Sequence, residues 1–166
     1  IEFRPGGLKA LWSASAPYPA ALRKRVLAFQ KPKVSEPIQN WLRLDADLGD
    51  WFGRTLTRII RSYEQQTPDV IANHGQTLAH FPGNQGGGTT LQLGEAGRIA
   101  AATGITTICQ FRSGDMAAGG QGAPLLPMFH AALAIKLDPD HAGVAIHNIG
   151  GISNLTYAAP GREALA

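Results

Sequence analysis

Four short segments hold the side chains best suited to chemistry. His74-Gly75-Gln76-Thr77 groups an imidazole, a carboxamide and a hydroxyl around a glycine that lets backbone come close to a ligand, a set suited to the hydroxyls of a sugar. The competing reading is a turn that satisfies strand-end N–H groups. Phe111-Arg112-Ser113-Gly114-Asp115 places a cation and a carboxylate three residues apart, so Arg112 can grip a substrate carboxylate with its planar fork while Asp115 orients it or binds a hydroxyl. The alternative is a surface ion pair between the two. Gly119-Gly120-Gln121-Gly122 precedes a helical pattern and can turn backbone amides toward an anion, although most glycine-rich turns are only turns. Asn148-Ile149-Gly150-Gly151 lies between two apolar runs, where glycines can admit phosphate oxygens or simply close a hairpin.

Other reactive side chains are read as structural. Cys109 is the single cysteine and lies in the apolar run 105–111, which predicts a buried, inert thiol in a reducing compartment. His80, His130, His141 and His147 have no metal-ligand spacing, so no protein-held metal site is expected. Trp12, Trp41 and Trp51 are expected to pack in the core or at an interface.

The elements that must position these groups follow from hydrophobic periodicity. Leu8 to Ser15 predicts a strand leading into a helix over 20–30, with Pro17 and Pro19 between them. From Ser35 to Gln66, apolar residues recur at spacings of three and four, which predicts one long amphipathic helix or two meeting near Gly49 or Gly53, starting at Ser35. Residues 69–73 read as a buried parallel strand that opens into the 74–77 loop. Residues 89–93 read as strand, 95–103 as helix stopped by Gly104, 105–111 as a second buried strand, and 125–137 as helix. Val144 to Ile149 and Ile152 to Tyr157 read as a tight hairpin. This order predicts an α/β domain with a partly parallel sheet, and candidate groups that follow strands belong where ligands gather in open α/β sheets.

Composition narrows the function classes. An apolar share of 44% with 16% charged residues is that of an ordinary globular domain, so disorder is not expected. The net charge of +3 is spread along the chain and forms no stripe, which argues against a nucleic-acid partner. No run approaches the roughly 20 apolar residues of a membrane span. The opening Ile1-Glu2-Phe3-Arg4-Pro5, without Met or an apolar leader, reads as a cut end.

Taken in order, HGQT at 74–77, TLQLGE at 90–95, TGITTICQFRSGDMAAGGQGAPL at 103–125 and NIGGISNLT at 148–156 resemble the anhydro-N-acetylmuramic acid kinases. The resemblance implies an actin-like ATPase fold with ribonuclease-H-like lobes, each a mixed sheet with flanking helices. Residues 1–142 would be a first lobe lacking its first strand, and 143–166 the start of a second. It implies ATP and Mg²⁺ as cofactors and a cytoplasmic kinase that opens the 1,6-anhydro ring, phosphorylates O6 and serves peptidoglycan recycling. The full-length enzyme would form a possible homodimer. His74, Gln76, Thr77, Arg112 and Asp115 would bind the sugar, and Asn148, Gly150 and Gly151 the phosphates.

The chain also departs from the family pattern. No Gly-Thr-Ser-x-Asp-Gly loop precedes Leu8, the Asp-Thr-Gly-Pro segment that supplies the general base is expected beyond Ala166, and Gln110 stands where the family has Asp. The piece is therefore expected to be truncated at both ends, inactive alone and prone to aggregate through unpaired edges. A non-catalytic carbohydrate-binding module derived from such a kinase is the alternative.

Overall fold

The computed structural model describes residues 1–4, 7–31, 34–63, 67–83, 88–137, 143–149 and 153–159. The chain divides into two compact units, one made of residues 1–79 and 91–110 and the other of 80–90 and 111–166.

In the first unit, strands β1 (Glu2–Arg4) and β2 (Gly7–Lys9) pair antiparallel, with Phe3 opposite Leu8. The strand expected over 8–15 thus ends at Lys9, and residues 10–19 form no regular element, in keeping with Pro17 and Pro19 and the lack of a partner strand. Helix α1 (Ala20–Phe29) starts directly after Pro19. Helix α2 (Ile38–Ser62) starts directly after Pro37 and not at Ser35. The ring of Pro37 disfavours helical backbone in the residue before it, so Ser35 and Glu36 stay outside.

Of the two arrangements read for 35–66, α2 is a single unbroken helix. Its glycines are contact points, not joints. A Cβ on Gly49 would stand 2.7 Å from the Glu95 carbonyl oxygen, and one on Gly53 would stand 2.7 Å from the Ala102 Cβ. The missing side chains let α2 lie directly on helix α3 (Ala96–Thr103). Helix α3 ends at Gly104 in the left-handed conformation, φ 72°, as the sequence predicts.

The first unit has two apolar clusters. Leu44 and Leu48 of α2, both fully buried, pack with Leu22, Val26 and Phe29 of α1. Trp41 meets Phe29 edge-on at 4.7 Å and Trp51 lies 4.5 Å from Tyr18, so these indoles are packing residues, as expected. Trp12 stacks on Tyr63. Ile99 of α3 forms the second cluster with Ile71 and Ile105, packed against Phe52, Leu56 and Ile60 of α2.

Strand β3 (Val70–Ala72) pairs parallel with β6 (Thr106–Ile108), the parallel element read from the sequence. Both strands are shorter and less buried than expected: Ile71 is buried, whereas Val70 is 43% and Ile108 50% exposed. Only one side of this pair carries the Ile71 cluster, so alternate residues stay outside it. Strand β4 (Gln76–Phe81) pairs with β5 (Thr89–Leu93) in a separate ribbon. The described strands join in twos, not in the one mixed sheet expected. Left-handed Gly75 (φ 73°) precedes β4 and Gly94 (φ 118°) follows β5, so each end of the ribbon nearest the pocket is a glycine turn.

In the second unit, α4 (Phe111–Ala117) replaces the end of the strand expected over 105–111 and the start of the loop expected over 112–124. Helix α5 (Pro127–Leu137) begins with proline at its first position, which leaves Leu125 and Leu126 outside. Strands β7 (Val144–Ile149) and β8 (Ser153–Ala158) form the expected antiparallel hairpin, with Ile146 opposite Thr156 and Asn148 opposite Asn154. Gly150, Gly151 and the lobe boundary expected at residue 142 lie outside the described residues, as does His141.

Candidate functional site

The first unit contains a pocket of about 170 Å³ at the ends of β3, β5 and β6. Three stretches of sequence far apart in the chain line it: 73–75 after β3, 92–96 running from β5 into α3, and Cys109 with Gln110 after β6; α2 adds Asp45. Strand-end placement is where the sequence reading put ligand groups.

The glycines make this arrangement possible. A Cβ on Gly75 would come 2.8 Å from the Leu93 carbonyl oxygen, and one on Gly94 would come 2.6 Å from the Phe52 ring. The turn after β3 therefore passes close to the end of β5. Asn73 ties the two together: its Nδ2 donates to the Gly94 carbonyl at 3.2 Å, and its Oδ1 accepts the Gly75 N–H at 3.3 Å. From the other side, Asp45 Oδ1 accepts the Gly94 N–H at 2.7 Å. Gly94 is thus held through both of its peptide groups, in a conformation L side chains rarely adopt.

Glu95 faces the pocket rim but is engaged with Arg98, whose Nε donates to Glu95 Oε2 at 2.7 Å and whose Nη1 donates to Asp50 at 3.0 Å. Hydrogen bonds to Glu95 first, then to Asp50, raise the Arg98 pKa above the ordinary arginine value.

Of the sugar-binding residues read from the sequence, His74 is exposed and lines the pocket. Gln76 and Thr77 belong to strand β4 and not to a loop, because the turn closes at Gly75. Gln76 Oε1 accepts the Tyr18 hydroxyl at 3.1 Å, and the Thr77 carbonyl accepts Gln30 Nε2 at 2.9 Å. Burial pushes the Tyr18 phenol pKa up.

Arg112 and Asp115 lie in the second unit, on α4 instead of a loop. Both reach the glycine-rich segment: Arg112 Nη1 donates to the Gly122 carbonyl, and Asp115 Oδ2 accepts the Gly122 N–H at 2.7 Å. The two residues fix this loop together, and among the described residues they form no ion pair with each other. Arg112 Nε is buried and has no hydrogen-bond partner among the described residues. Asn148 is exposed near the end of β7. His80 meets Thr90 at 3.2 Å, His147 meets Ser153 at 2.7 Å, and buried His130 meets buried Thr156 at 2.8 Å.

The sequence reading missed several pocket residues. Cys109 is exposed, not buried, because β6 stops at Ile108 and releases it from the ladder. Gln110 has φ 64°, a left-handed backbone uncommon for a residue other than glycine and found mostly where a turn is required. Gln92 and Leu93 belong to a strand whose alternation marks burial but not function. Asp45 belongs to a helical repeat that carries no functional signal.

Comparison with known proteins extends this geometry. The family described as anhydro-N-acetylmuramic acid kinase matches residues 1–166. A protein of that name from Streptomyces coelicolor is 37% identical over 159 residues, covering 96% of this chain and 40% of the relative. One from Coxiella burnetii is 38% identical over 95% of this chain and 41% of its own length. One from Xanthomonas axonopodis pv. citri is 42% identical over 81% of this chain and 36% of its own length. The chain thus spans about two fifths of the length of these curated relatives.

Proposed function

The chain belongs to the anhydro-N-acetylmuramic acid kinase family, and we propose that it carries the sugar-side pocket of such a kinase. In the complete protein, that enzyme hydrolytically opens 1,6-anhydro-N-acetylmuramic acid and phosphorylates O6 at the expense of ATP, in cytoplasmic peptidoglycan recycling. The carrying observation is the pocket itself: His74, Gly94 and Gln110, drawn from three of the four segments that resemble the family, line one cavity at strand ends. The match over residues 1–166 favours this reading over a carbohydrate-binding module.

On this reading the work of the chain is binding and orientation. His74 meets the sugar directly. Gln76 and Thr77, tied to Tyr18 and Gln30, hold the start of β4 behind it. Arg112 and Asp115 fix the loop at Gly122 within the second unit, and a substrate-binding role for the two is part of the same proposal. Asn148, with Gly150 and Gly151, is the proposed phosphate hairpin of an actin-like ATPase, residues 1–142 belonging to its first lobe and 143–166 to its second. A homodimer of the whole enzyme is part of the same proposal. No helix among the described residues is long and apolar enough to cross a membrane.

Mg²⁺ bound to the nucleotide would neutralise charge on the transferring phosphoryl group. The described residues contain no group of three or more His, Cys, Asp or Glu side chains placed to hold a metal ion, so the steps assigned to this chain do not pass through one.

The test is a phosphoryl-transfer assay on the complete protein with ATP, Mg²⁺ and the anhydro sugar. Product phosphorylated at O6 with an opened ring is expected, together with a loss of about tenfold or more in kcat/KM on His74→Ala. Unchanged kinetics in His74→Ala would remove the pocket from the reaction.

A further inference from the structure

The pocket of the first unit has a one-sided chemistry. Its described lining includes Asp45, Glu95, Gln92 and Gln110 but neither Lys nor Arg. Two of its polar residues are committed within the protein: Glu95 to Arg98, and Asn73 to Gly75 and Gly94. Asp45 is different. Its Oδ1 takes the Gly94 N–H, while Oδ2 makes no hydrogen bond and no cation pairs with the residue, among the described residues. An ionised carboxylate offers about four acceptor positions, so this one keeps most of its capacity. It is also held in place, by the bond to Gly94 and by the packing of its neighbours Leu44 and Leu48 on α2.

A fixed, half-buried carboxylate without a counter-cation attracts hydrogen-bond donors and repels a second anion. We propose that Asp45 is a specificity-determining residue of this pocket, accepting a hydrogen bond from an uncharged donor, a hydroxyl or amide N–H, of the bound sugar. The sugar therefore enters with its neutral, donor-bearing edge, and its carboxylate points away from Asp45. This inference rests on the reading of the pocket as the sugar site.

The test uses Cys109, the only cysteine of the chain, which is exposed and lines the same pocket. Its alkylation rate reports occupancy. Anhydro-N-acetylmuramic acid is expected to slow alkylation of the wild type. Removal of one particular donor from the sugar, as a deoxy or O-methyl analogue, is expected to raise the midpoint about ten- to a hundredfold. Asp45→Asn is expected to raise it similarly for the intact sugar but to add little for that analogue, as a direct contact requires.

If Asp45→Asn keeps the wild-type circular dichroism and melting temperature and binds the intact sugar within about twofold of wild type, the role of Asp45 is overturned while the pocket assignment stands. Should that variant not fold, the analogue series in the wild type decides, because no donor deletion costing more than about twofold overturns the proposal. Absence of protection in the wild type overturns the pocket assignment first, and the role of Asp45 with it.

Discussion

Helix α2 and the β7–β8 hairpin each present one face to a neighbour, and they are finished very differently. On α2, Leu44 and Leu48 are fully buried, Gly49 and Gly53 meet α3 with no room for a methyl group, and the same helix delivers Asp45 to the pocket. On the hairpin, Thr156 and Ala158 are buried, yet Ile149 is 75%, Leu155 55% and Tyr157 41% exposed. The buried link of the hairpin to α5 is polar, the His130 to Thr156 hydrogen bond at 2.8 Å. Close packing around α2 fixes geometry, so a change there reaches the pocket, whereas most outward changes on the hairpin should be absorbed.

That contrast can be broken by substitution. Leu48→Ala should cost about 2–5 kcal/mol in denaturant unfolding, the range for emptying a packed core position. Gly94→Ala comes next: the added Cβ meets Phe52 in a left-handed backbone, so a loss of about 1–3 kcal/mol is expected, with weaker sugar binding measured on the same sample. Thr156→Val should cost about 1–3 kcal/mol by leaving a buried imidazole nitrogen without its partner, and should leave the protection of Cys109 by sugar unchanged. Leu155→Ala should stay within about 0.5 kcal/mol of wild type. A Leu155→Ala loss equal to that of Leu48→Ala would show that the hairpin is packed as closely as α2.

Tyr18→Phe sharpens the comparison through pH. Burial raises the phenol pKa in the folded state, so its stabilising contribution is complete below the ordinary tyrosine value and is lost as the pH rises through the folded one. The melting temperature of the wild type should fall more steeply in that alkaline window than that of Tyr18→Phe.

Local signals in the sequence were strong where one element decides the outcome. The spacing of Leu48, Phe52, Leu56 and Ile60 marks α2, Gly104 stops α3, and the glycines between two apolar runs mark the hairpin. Pro37 was also readable as a helix start, although Ser35 is the stronger capping residue, because the restriction a proline places on its predecessor outweighs the cap. The strand lengths and the exposure of Cys109 were not readable, since both depend on where the β3–β6 pairing ends. Asp45 was hidden for a related reason. Its importance comes from a backbone N–H forty-nine positions away, at Gly94, a juxtaposition that no periodicity announces.

The central claim is that the cavity formed by His74, Gly94, Gln110 and Asp45 receives the sugar. Heteronuclear NMR of the protein, titrated with 1,6-anhydro-N-acetylmuramic acid, tests it most directly. Saturable shifts of the Gly75, Gly94 and Gln110 amides with a common dissociation constant are predicted. Saturable shifts elsewhere, with these three amides unmoved, would contradict it.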